Sequence, residues 1–228
     1  MNQLAQLTLF NQTNQDTLTQ LWQSGKVTTY PKGEHCFKAK EPTSNIYILL
    51  KGTAAIYNIT HSGKRKTIFY LKGGALLNDQ ITKLSLPSVS CETINECKVF
   101  VIQKDKFLTI MAKDFALTQV ILADYERKIF RLTHQLKNTL GCVYLERKLA
   151  SKLWKLARDF GIQTERGIYI DIPLSITELA DFVGAPRESI SRSMKKLAEK
   201  GLVDMEGKKI VVINPEKMST FYKTGKIK

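Results

Sequence analysis

Short apolar runs separated by turn residues occupy the chain from Val27 to Ile102. Turn signals recur about every eight to twelve residues, and the runs between them are rich in β-branched and aromatic residues. The clearest runs are Asn45–Leu50, Ala55–Ile59 and Thr67–Leu71. This spacing predicts several short strands packed as a sandwich or barrel.

The pattern changes to a helical period after Lys104, and neither Pro nor Gly occurs from Phe115 to Thr139. One long helix is therefore predicted. Residues of one stripe recur at alternating spacings of three and four, the period of about 3.5 that is typical of coiled-coil seams. The stripe consists of Phe115, Thr118, Leu122, Tyr125, Ile129, Leu132, Leu136 and Thr139. It predicts a homodimer formed through this central helix.

Packing of the same stripe on the β domain is the alternative, because further apolar residues widen the face beyond a narrow seam. These residues are Leu117, Val120, Ile121 and Phe130. Gly141 is predicted to end the helix, with a hinge near Cys142. An amphipathic helix from Leu145 to Phe160 and a short strand from Gly167 to Ile172 are expected next.

A helix start is predicted at Ser175, because a hydroxyl residue followed three positions later by Glu178 is a capping-box signature. Apolar residues then follow at the spacing of one helix face: Ile176, Leu179, Ala180 and Val183. Gly184 supplies a turn, and a second helix is predicted from Pro186, placed at its first position, to Gly201. Two helices joined by a tight glycine turn form a helix-turn-helix.

The second helix has two opposed faces when its residues are placed about 100° apart. The apolar face carries Ile190, Met194 and Leu197, and the polar face carries Arg187, Glu188, Ser191, Arg192 and Lys195. Arginine can donate two hydrogen bonds to guanine, and glutamate can accept one from cytosine. The pattern therefore predicts a helix that lies in the major groove of DNA, with Arg187, Glu188 and Arg192 facing the bases.

A two-stranded wing is predicted after Gly201, with strands at 202–205 and 208–213 joined by a turn at Glu206-Gly207. Four lysines lie where they could neutralise phosphates, although they could equally be ordinary solvated side chains. They are Lys195, Lys196, Lys208 and Lys209.

Composition restricts the function further. The formal net charge of +14 favours a polyanionic partner such as nucleic acid.

The cysteines are too far apart in sequence for a zinc knuckle, so free thiols and no metal are expected. They are Cys36, Cys91, Cys97 and Cys142. No signal peptide or apolar stretch of membrane-spanning length is present, which predicts a cytoplasmic protein without a membrane partner. Catalytic motifs are also absent, so no enzyme activity is expected.

With these motifs in this order, the chain resembles the family of the cyclic AMP receptor protein and the fumarate-nitrate reductase regulator, the CRP/FNR family. The most specific match is Val183–Arg192, which is similar to the family's glycine turn and recognition helix. Pro31–Glu34 and Ile46–Gly52 are similar to the opening of its cyclic-nucleotide-binding-like β-roll. The resemblance implies an α+β fold: a jelly-roll sensor domain (1–108), a dimerisation helix with hinge (109–141) and a C-terminal winged helix-turn-helix (142–228).

The resemblance also implies roles for individual residues. Arg187, Glu188 and Arg192 would contact bases of double-stranded DNA, with Ser191 as a further base contact. Phosphate contacts would come from Ser175, Thr177 and Ser189. The operator would be palindromic, with a TGA core in each half-site. RNA polymerase is an additional partner implied for such a regulator.

Departures from the family concern its effector. The cyclic AMP binders carry a Gly-Glu pair and, further on, an Arg followed by Ser or Thr; the corresponding residues here are Asn78, Asp79, Val89 and Ser90. Without the arginine no charge-assisted contact to a cyclic phosphate remains, so cyclic AMP is not expected to bind. No cysteine precedes Cys36, which argues against an iron-sulfur cluster, and no cofactor is predicted. The open alternatives are another ligand, oxidation of a thiol such as Cys36 or Cys142, or no effector at all.

The sequence thus predicts a sequence-specific, dimeric transcription regulator that is independent of cyclic AMP. The competing hypothesis is a ligand-binding signalling module whose basic C-terminal domain docks an acidic protein or RNA. That module would bind DNA weakly and without sequence preference.

Overall fold

The computed structural model describes residues 2–82, 85–137 and 144–227. The chain forms two compact units, one of Met1–Ile59 with Ile68–Gln135 and the other of Thr60–Thr67 with Leu136–Lys228. The predicted hinge residues Gly141 and Cys142, and the last seam residue Thr139, lie outside the described residues. No helix in the described ranges is both long and apolar enough to cross a membrane.

The first unit is built around two four-stranded sheets, with strand orders β1-β8-β3-β6 and β2-β7-β4-β5. Their strands are β1 (Gly25–Tyr30), β2 (His35–Phe37), β3 (Asn45–Lys51), β4 (Thr53–Ile59), β5 (Arg65–Lys72), β6 (Ala75–Leu76), β7 (Ser90–Thr93) and β8 (Cys97–Gln103). The three apolar runs of the sequence lie in β3, β4 and β5. The predicted β-roll is therefore present.

The two faces of strand β3 pack against different apolar clusters. Successive side chains of a strand point to opposite faces. Ile46 and Ile48 accordingly join the apolar cluster that includes the helices, whereas Tyr47 and Leu49 join the cluster inside the roll. A strand buried on both faces reads as a continuous apolar run, as Ile46–Leu50 does.

Three helices of the described residues complete this unit: α1 (Gln15–Ser24), α2 (Lys104–Lys113) and α3 (Phe115–Lys137), whose last two residues are assigned to the second unit. Two short 3₁₀ turns, Gln3–Gln6 and Thr8–Phe10, precede α1. A break separates α2 from α3 at Asp114, whose carboxylate accepts a hydrogen bond from the backbone N–H of Ala116 at 2.8 Å. The sequence-derived boundary at residues 108 and 109 falls inside α2.

Helix α3 has two different apolar faces. Leu117, Val120 and Ile121 are buried in the core of the first unit. Leu122, Ile129 and Leu136, in contrast, are 53%, 61% and 67% exposed. The apolar residues of α3 thus divide into a stripe that packs on the unit's own core and a stripe that is exposed. Two assignments from the sequence change sides: Tyr125 of the predicted seam packs on the core, and Phe130 is exposed.

Within its described residues, the second unit combines four helices with a four-stranded sheet of order β11-β12-β10-β9. The helices are α4 (Leu145–Phe160), α5 (Ile176–Val183), α6 (Arg187–Glu199) and α7 (Pro215–Thr224). The strands are β9 (Gly161–Thr164), β10 (Gly167–Ile170), β11 (Val203–Glu206) and β12 (Lys209–Val212). The predicted helices, strand and wing are present, while β9 and α7 were not predicted.

Candidate nucleic-acid interface

Helix α5 begins with the capping box that its sequence indicates. The Ser175 hydroxyl accepts a hydrogen bond from the Glu178 N–H at 3.2 Å, and the Glu178 carboxylate accepts one from the Ser175 N–H at 2.6 Å. Two backbone N–H groups that the helix itself leaves unpaired are thereby satisfied. Ser175 therefore has a structural role, whatever it contacts in a complex.

Replacing Ser175 with alanine should lower the free energy of unfolding of the second unit by about 1 kcal/mol, within the range of roughly 0.5–2 kcal/mol found for N-cap hydroxyls. Urea unfolding in a Trp22→Phe background, where Trp154 alone reports by fluorescence, measures this change. Thr177→Ala is the control, because Thr177 is exposed. Equal unfolding midpoints for the two variants would contradict the capping role.

The turn between the two helices depends on Gly184. This glycine has φ 78°, in the left-handed region, and its N–H donates to the carbonyl of Ala180 at 2.7 Å. A residue with a Cβ is strained in that conformation. Helix α6 starts at Arg187 with Pro186 as its N-cap, one position outside the helix instead of at its first position. The difference is small because proline, with φ near −58°, fits either place.

Helix α6 is anchored by its apolar face and presents its polar face to solvent. Ile190 and Leu197 are 0% exposed and Met194 is 5% exposed. Glu188, Arg192 and Lys195 lie on the opposite side and are exposed, and Arg187 is exposed at the first position of the helix. Ser189 and Ser191 are half-buried at the border between the two faces. The structure therefore brings the predicted base-contacting residues together on one accessible surface, which we call the recognition face.

Lys196 differs from the other three lysines, because its ammonium is already paired. It lies 2.9 Å from the carboxylate of Glu146 on α4, and Lys200 lies 3.6 Å from the other carboxylate oxygen. The hydrogen bond from Lys196 holds the pKa of Glu146 below its ordinary value. This ion pair connects α6 to α4 and was not predicted, because residues so distant in sequence leave no periodic signal.

The wing is a β-hairpin formed by β11 and β12, with Val203 opposite Val212 and Glu206 opposite Lys209. Gly207 turns the chain with φ 61°. Lys208 and Lys209 are exposed at this turn. Arg166, from the loop before β10, forms an ion pair with Asp204 of β11. The wing thus presents two lysines at its tip, while Arg166 is engaged at its base.

Helix α7 packs on α4, the helix to which α6 is joined by the ion pair of Lys196 and Glu146. The ring of Tyr222 lies 5.7 Å from that of Trp154, and the Arg147 guanidinium donates to the carbonyls of Tyr222 and Lys223. A signal for this helix was present in the sequence. Asn214 caps it, Pro215 occupies its first turn and Gly225 ends it with φ 78°.

The four residues predicted to line an effector site belong to the first unit, and most of their polar groups bond within the roll; Asp79 Oδ1 is buried without a hydrogen-bond partner among the described residues. Asn78 accepts from the N–H of Tyr47 at 2.8 Å and donates to the carbonyl of Asn45 at 3.1 Å. The other three are held in a similar way: Asp79 accepts from the N–H and hydroxyl of Ser88, Ser90 accepts from the N–H of Ala39, and Val89 is buried in the apolar cluster.

The thiols of the first unit are buried. Cys36, Cys91 and Cys97 are free cysteines within the apolar cluster of the roll. A hydrogen bond with Cys36 and burial raise the pKa of the Cys91 thiol well above its ordinary value. Since the thiolate is the reactive form, a raised pKa keeps Cys91 in its unreactive thiol form at neutral pH. Cys142, the other thiol considered from the sequence, lies outside the described residues.

Two domain families match this arrangement. Residues 147–221 match the Crp-like helix-turn-helix domain, and residues 27–114 match the cyclic nucleotide-binding domain. The fold and the recognition face therefore define a transcription regulator that combines a cyclic-nucleotide-binding-type roll with a DNA-binding winged helix-turn-helix.

Relatives match over nearly the whole chain. A global nitrogen regulator of Synechococcus elongatus is 26% identical over 85% of this chain and 88% of its own. A CRP-like cAMP-activated global transcriptional regulator of Mycobacterium tuberculosis is 23% identical over 95% of this chain and 96% of its own. The structure of a CRP-family transcriptional regulator from Thermus thermophilus aligns with a TM-score of 0.73 at 17% identity, covering 86% and 97% of the two chains. The chain belongs to the CRP/FNR family of transcription regulators, which are not enzymes.

Proposed function

We propose that this regulator binds a palindromic DNA operator as a homodimer, reads each half-site with α6, and does so without cyclic AMP. The observation that carries the proposal is the division of α6 into a buried face, centred on Ile190 and Leu197, and the exposed recognition face. An anchored helix that presents arginine and glutamate side chains at its N-terminal end has the form required for the major groove.

Within each half-site, Arg187 and Arg192 would donate to guanine edges and Glu188 would accept from cytosine. Ser191 would add a contact at the border of the recognition face. Phosphate contacts would come from six further residues, namely Ser175, Thr177, Ser189, Lys195, Lys208 and Lys209. Lys196 would join them only by sharing its ammonium with Glu146. Such contacts position the protein and carry no sequence information themselves.

The dimer would form through the uncovered stripe of α3. Five of its residues are at least 40% exposed: Phe115, Leu122, Ile129, Leu132 and Leu136. A contiguous apolar stripe of this kind costs free energy in water and marks an interaction site. A second copy of α3 would cover it at the spacing of a coiled-coil seam. The two-fold axis would then match an operator whose half-sites, each with a TGA core, lie one DNA turn apart.

Cyclic AMP is not the effector in this proposal. Val89 occupies the place of the phosphate-binding arginine and packs in the apolar cluster, so the four effector residues include no cation. RNA polymerase as a further partner follows from family membership alone.

Titration with cyclic AMP should therefore give no saturable heat of binding and leave operator affinity unchanged. Isothermal calorimetry and fluorescence anisotropy on labelled operator measure the two quantities. The M. tuberculosis relative, described by its name as cAMP-activated, is the positive control. Saturable binding of cyclic AMP to this chain would contradict the assignment.

The whole proposal is tested by selecting bound sequences from a pool of random duplex DNA. The expected result is enrichment of a palindrome with TGA-containing half-sites. Recovery of unenriched DNA, with binding that is weak and strongly salt-dependent, would instead favour docking to an acidic protein or RNA.

A further inference from the structure

The face of α3 that packs on its own unit contains a buried ion pair. Asp124 and Lys128, four residues apart, place a carboxylate oxygen and an ammonium nitrogen 3.0 Å from each other. Their side chains are only 11% and 17% exposed. Charges are buried only where partners compensate the lost hydration, so the surroundings of Lys128 should account for its position.

These surroundings are backbone carbonyls of the roll. The Lys128 ammonium donates to the carbonyl of Leu76 at 2.9 Å and to that of Asn78 at 3.3 Å. The nearby Asp124 carboxylate compensates its charge as an ion pair. The hydroxyl of Tyr125 also donates to the carbonyl of Asn78, at 3.4 Å. Helix α3 is thus bonded to one short segment, Leu76–Asp79, which we call the clamp segment.

The clamp segment contains two of the predicted effector residues and is held from its other side by the roll. Asn78 bonds to the backbone of Tyr47 and Asn45, and Asp79 bonds to Ser88. The roll therefore bonds to the side chains of Asn78 and Asp79, and α3 bonds to the carbonyls of Leu76 and Asn78. The second carboxylate oxygen of Asp79, Oδ1, is buried without a hydrogen-bond partner among the described residues. A ligand entering here would have to replace bonds that are already made, and unpaired buried carbonyls or an unpaired ammonium would oppose it.

We propose that Lys128 is a built-in substitute for an effector: its ammonium fixes the clamp segment to α3, so the regulator reaches its DNA-binding form without any small molecule. The inference rests on the proposed function, because α3 also carries the stripe through which the dimer would form. In such a dimer, the position of α3 would determine the distance between the two recognition faces. A bond between the roll and α3 would therefore influence that distance. Allosteric coupling is the free energy by which binding at one site changes the affinity at another, and here the Lys128 side chain would supply it in place of a ligand.

The test compares Lys128→Met with Arg127→Met. Both variants remove a cation from α3, but Arg127 is exposed and lies on another face. Wild-type protein, refolded from denaturant to remove any retained ligand, should bind the selected operator unaided. Lys128→Met should bind roughly 5- to 150-fold more weakly, the range typical of allosteric coupling. Arg127→Met should stay within about twofold of wild type, as surface substitutions usually do.

Hydrogen exchange of the clamp segment gives a second readout that needs no DNA. Amides of residues 76–80 should exchange faster in Lys128→Met than in Arg127→Met. Tyr125→Phe, which removes a single hydroxyl, should shift the same amides in the same direction by less. This milder variant decides the question if Lys128→Met does not fold.

The outcomes separate the two hypotheses. If wild type selects no operator, the proposed function fails, and the exchange rates alone decide whether Lys128 fixes the clamp segment. If wild type selects an operator but needs an added small molecule, the inference is overturned while the function stands. Unchanged exchange in Lys128→Met and Tyr125→Phe overturns it as well, whatever the operator affinity.

Discussion

Replacing Arg192 with alanine is expected to weaken operator binding by about 1–3 kcal/mol in each half-site, or roughly 5- to 150-fold. The reason lies in the geometry of the recognition face. Arg192 is exposed on the side of α6 opposite buried Ile190 and Leu197, so its guanidinium is available for two hydrogen bonds to one guanine. Because a dimer uses two half-sites, the fold-losses in affinity of the two half-sites multiply on a complete palindrome.

Specificity is the decisive part of this prediction. Arg192→Ala should bind the operator more weakly and should also distinguish less between the four bases at one position of each half-site. Anisotropy on single-base operator variants measures both effects. Lys195→Ala is the matched control on the same helix. It should weaken binding to all sequences alike and lower the salt dependence by about one phosphate contact. Uniform weakening by Arg192→Ala would mean that this arginine meets only phosphate.

Leu122→Glu should convert the dimer to a monomer and reduce operator affinity by about 10²- to 10⁴-fold, because the advantage of two linked half-sites is lost. Leu122 is 53% exposed, so a charge there leaves the core of its own unit intact. In a dimer, however, the same carboxylate would be buried beside its symmetry mate. Burial of two like charges in an apolar seam is strongly unfavourable.

Ala123→Glu is the control for this variant, since it adds the same charge to the same helix. Ala123 is exposed and lies about 140° from the mean direction of the seam. It should remain dimeric in analytical ultracentrifugation and keep operator affinity within about twofold. Dimers of Leu122→Glu that are as stable as those of Ala123→Glu would rule out the α3 seam.

Local signals in the sequence located the DNA-binding part well. Ser175, Glu178 and Gly184 fix the start and end of α5 through hydrogen bonds and backbone angles within a few residues, so their pattern identifies the helix directly. The same holds for the wing, where Gly207 marks the turn. The apolar face of α6 also follows from its helical period, because Ile190, Met194 and Leu197 lie within about 60° of one another.

Contacts between distant residues could not be predicted in this way. The pairing of Lys196 with Glu146 joins residues 50 positions apart, and Lys128 meets carbonyls about as far away along the chain. Strand β9 was missed because all four of its residues are exposed, which removes the apolar alternation used to find strands. The long helix was found from its period, but that period does not reveal which apolar stripe of α3 packs on the roll.

A structure of the protein bound to its selected operator tests the central claim most directly. The account predicts α6 in the major groove of each half-site, with Arg187, Glu188 and Arg192 within hydrogen-bond distance of base edges and the two copies of α3 in contact. A complex in which these three side chains touch only phosphates, or turn away from the DNA, would contradict it.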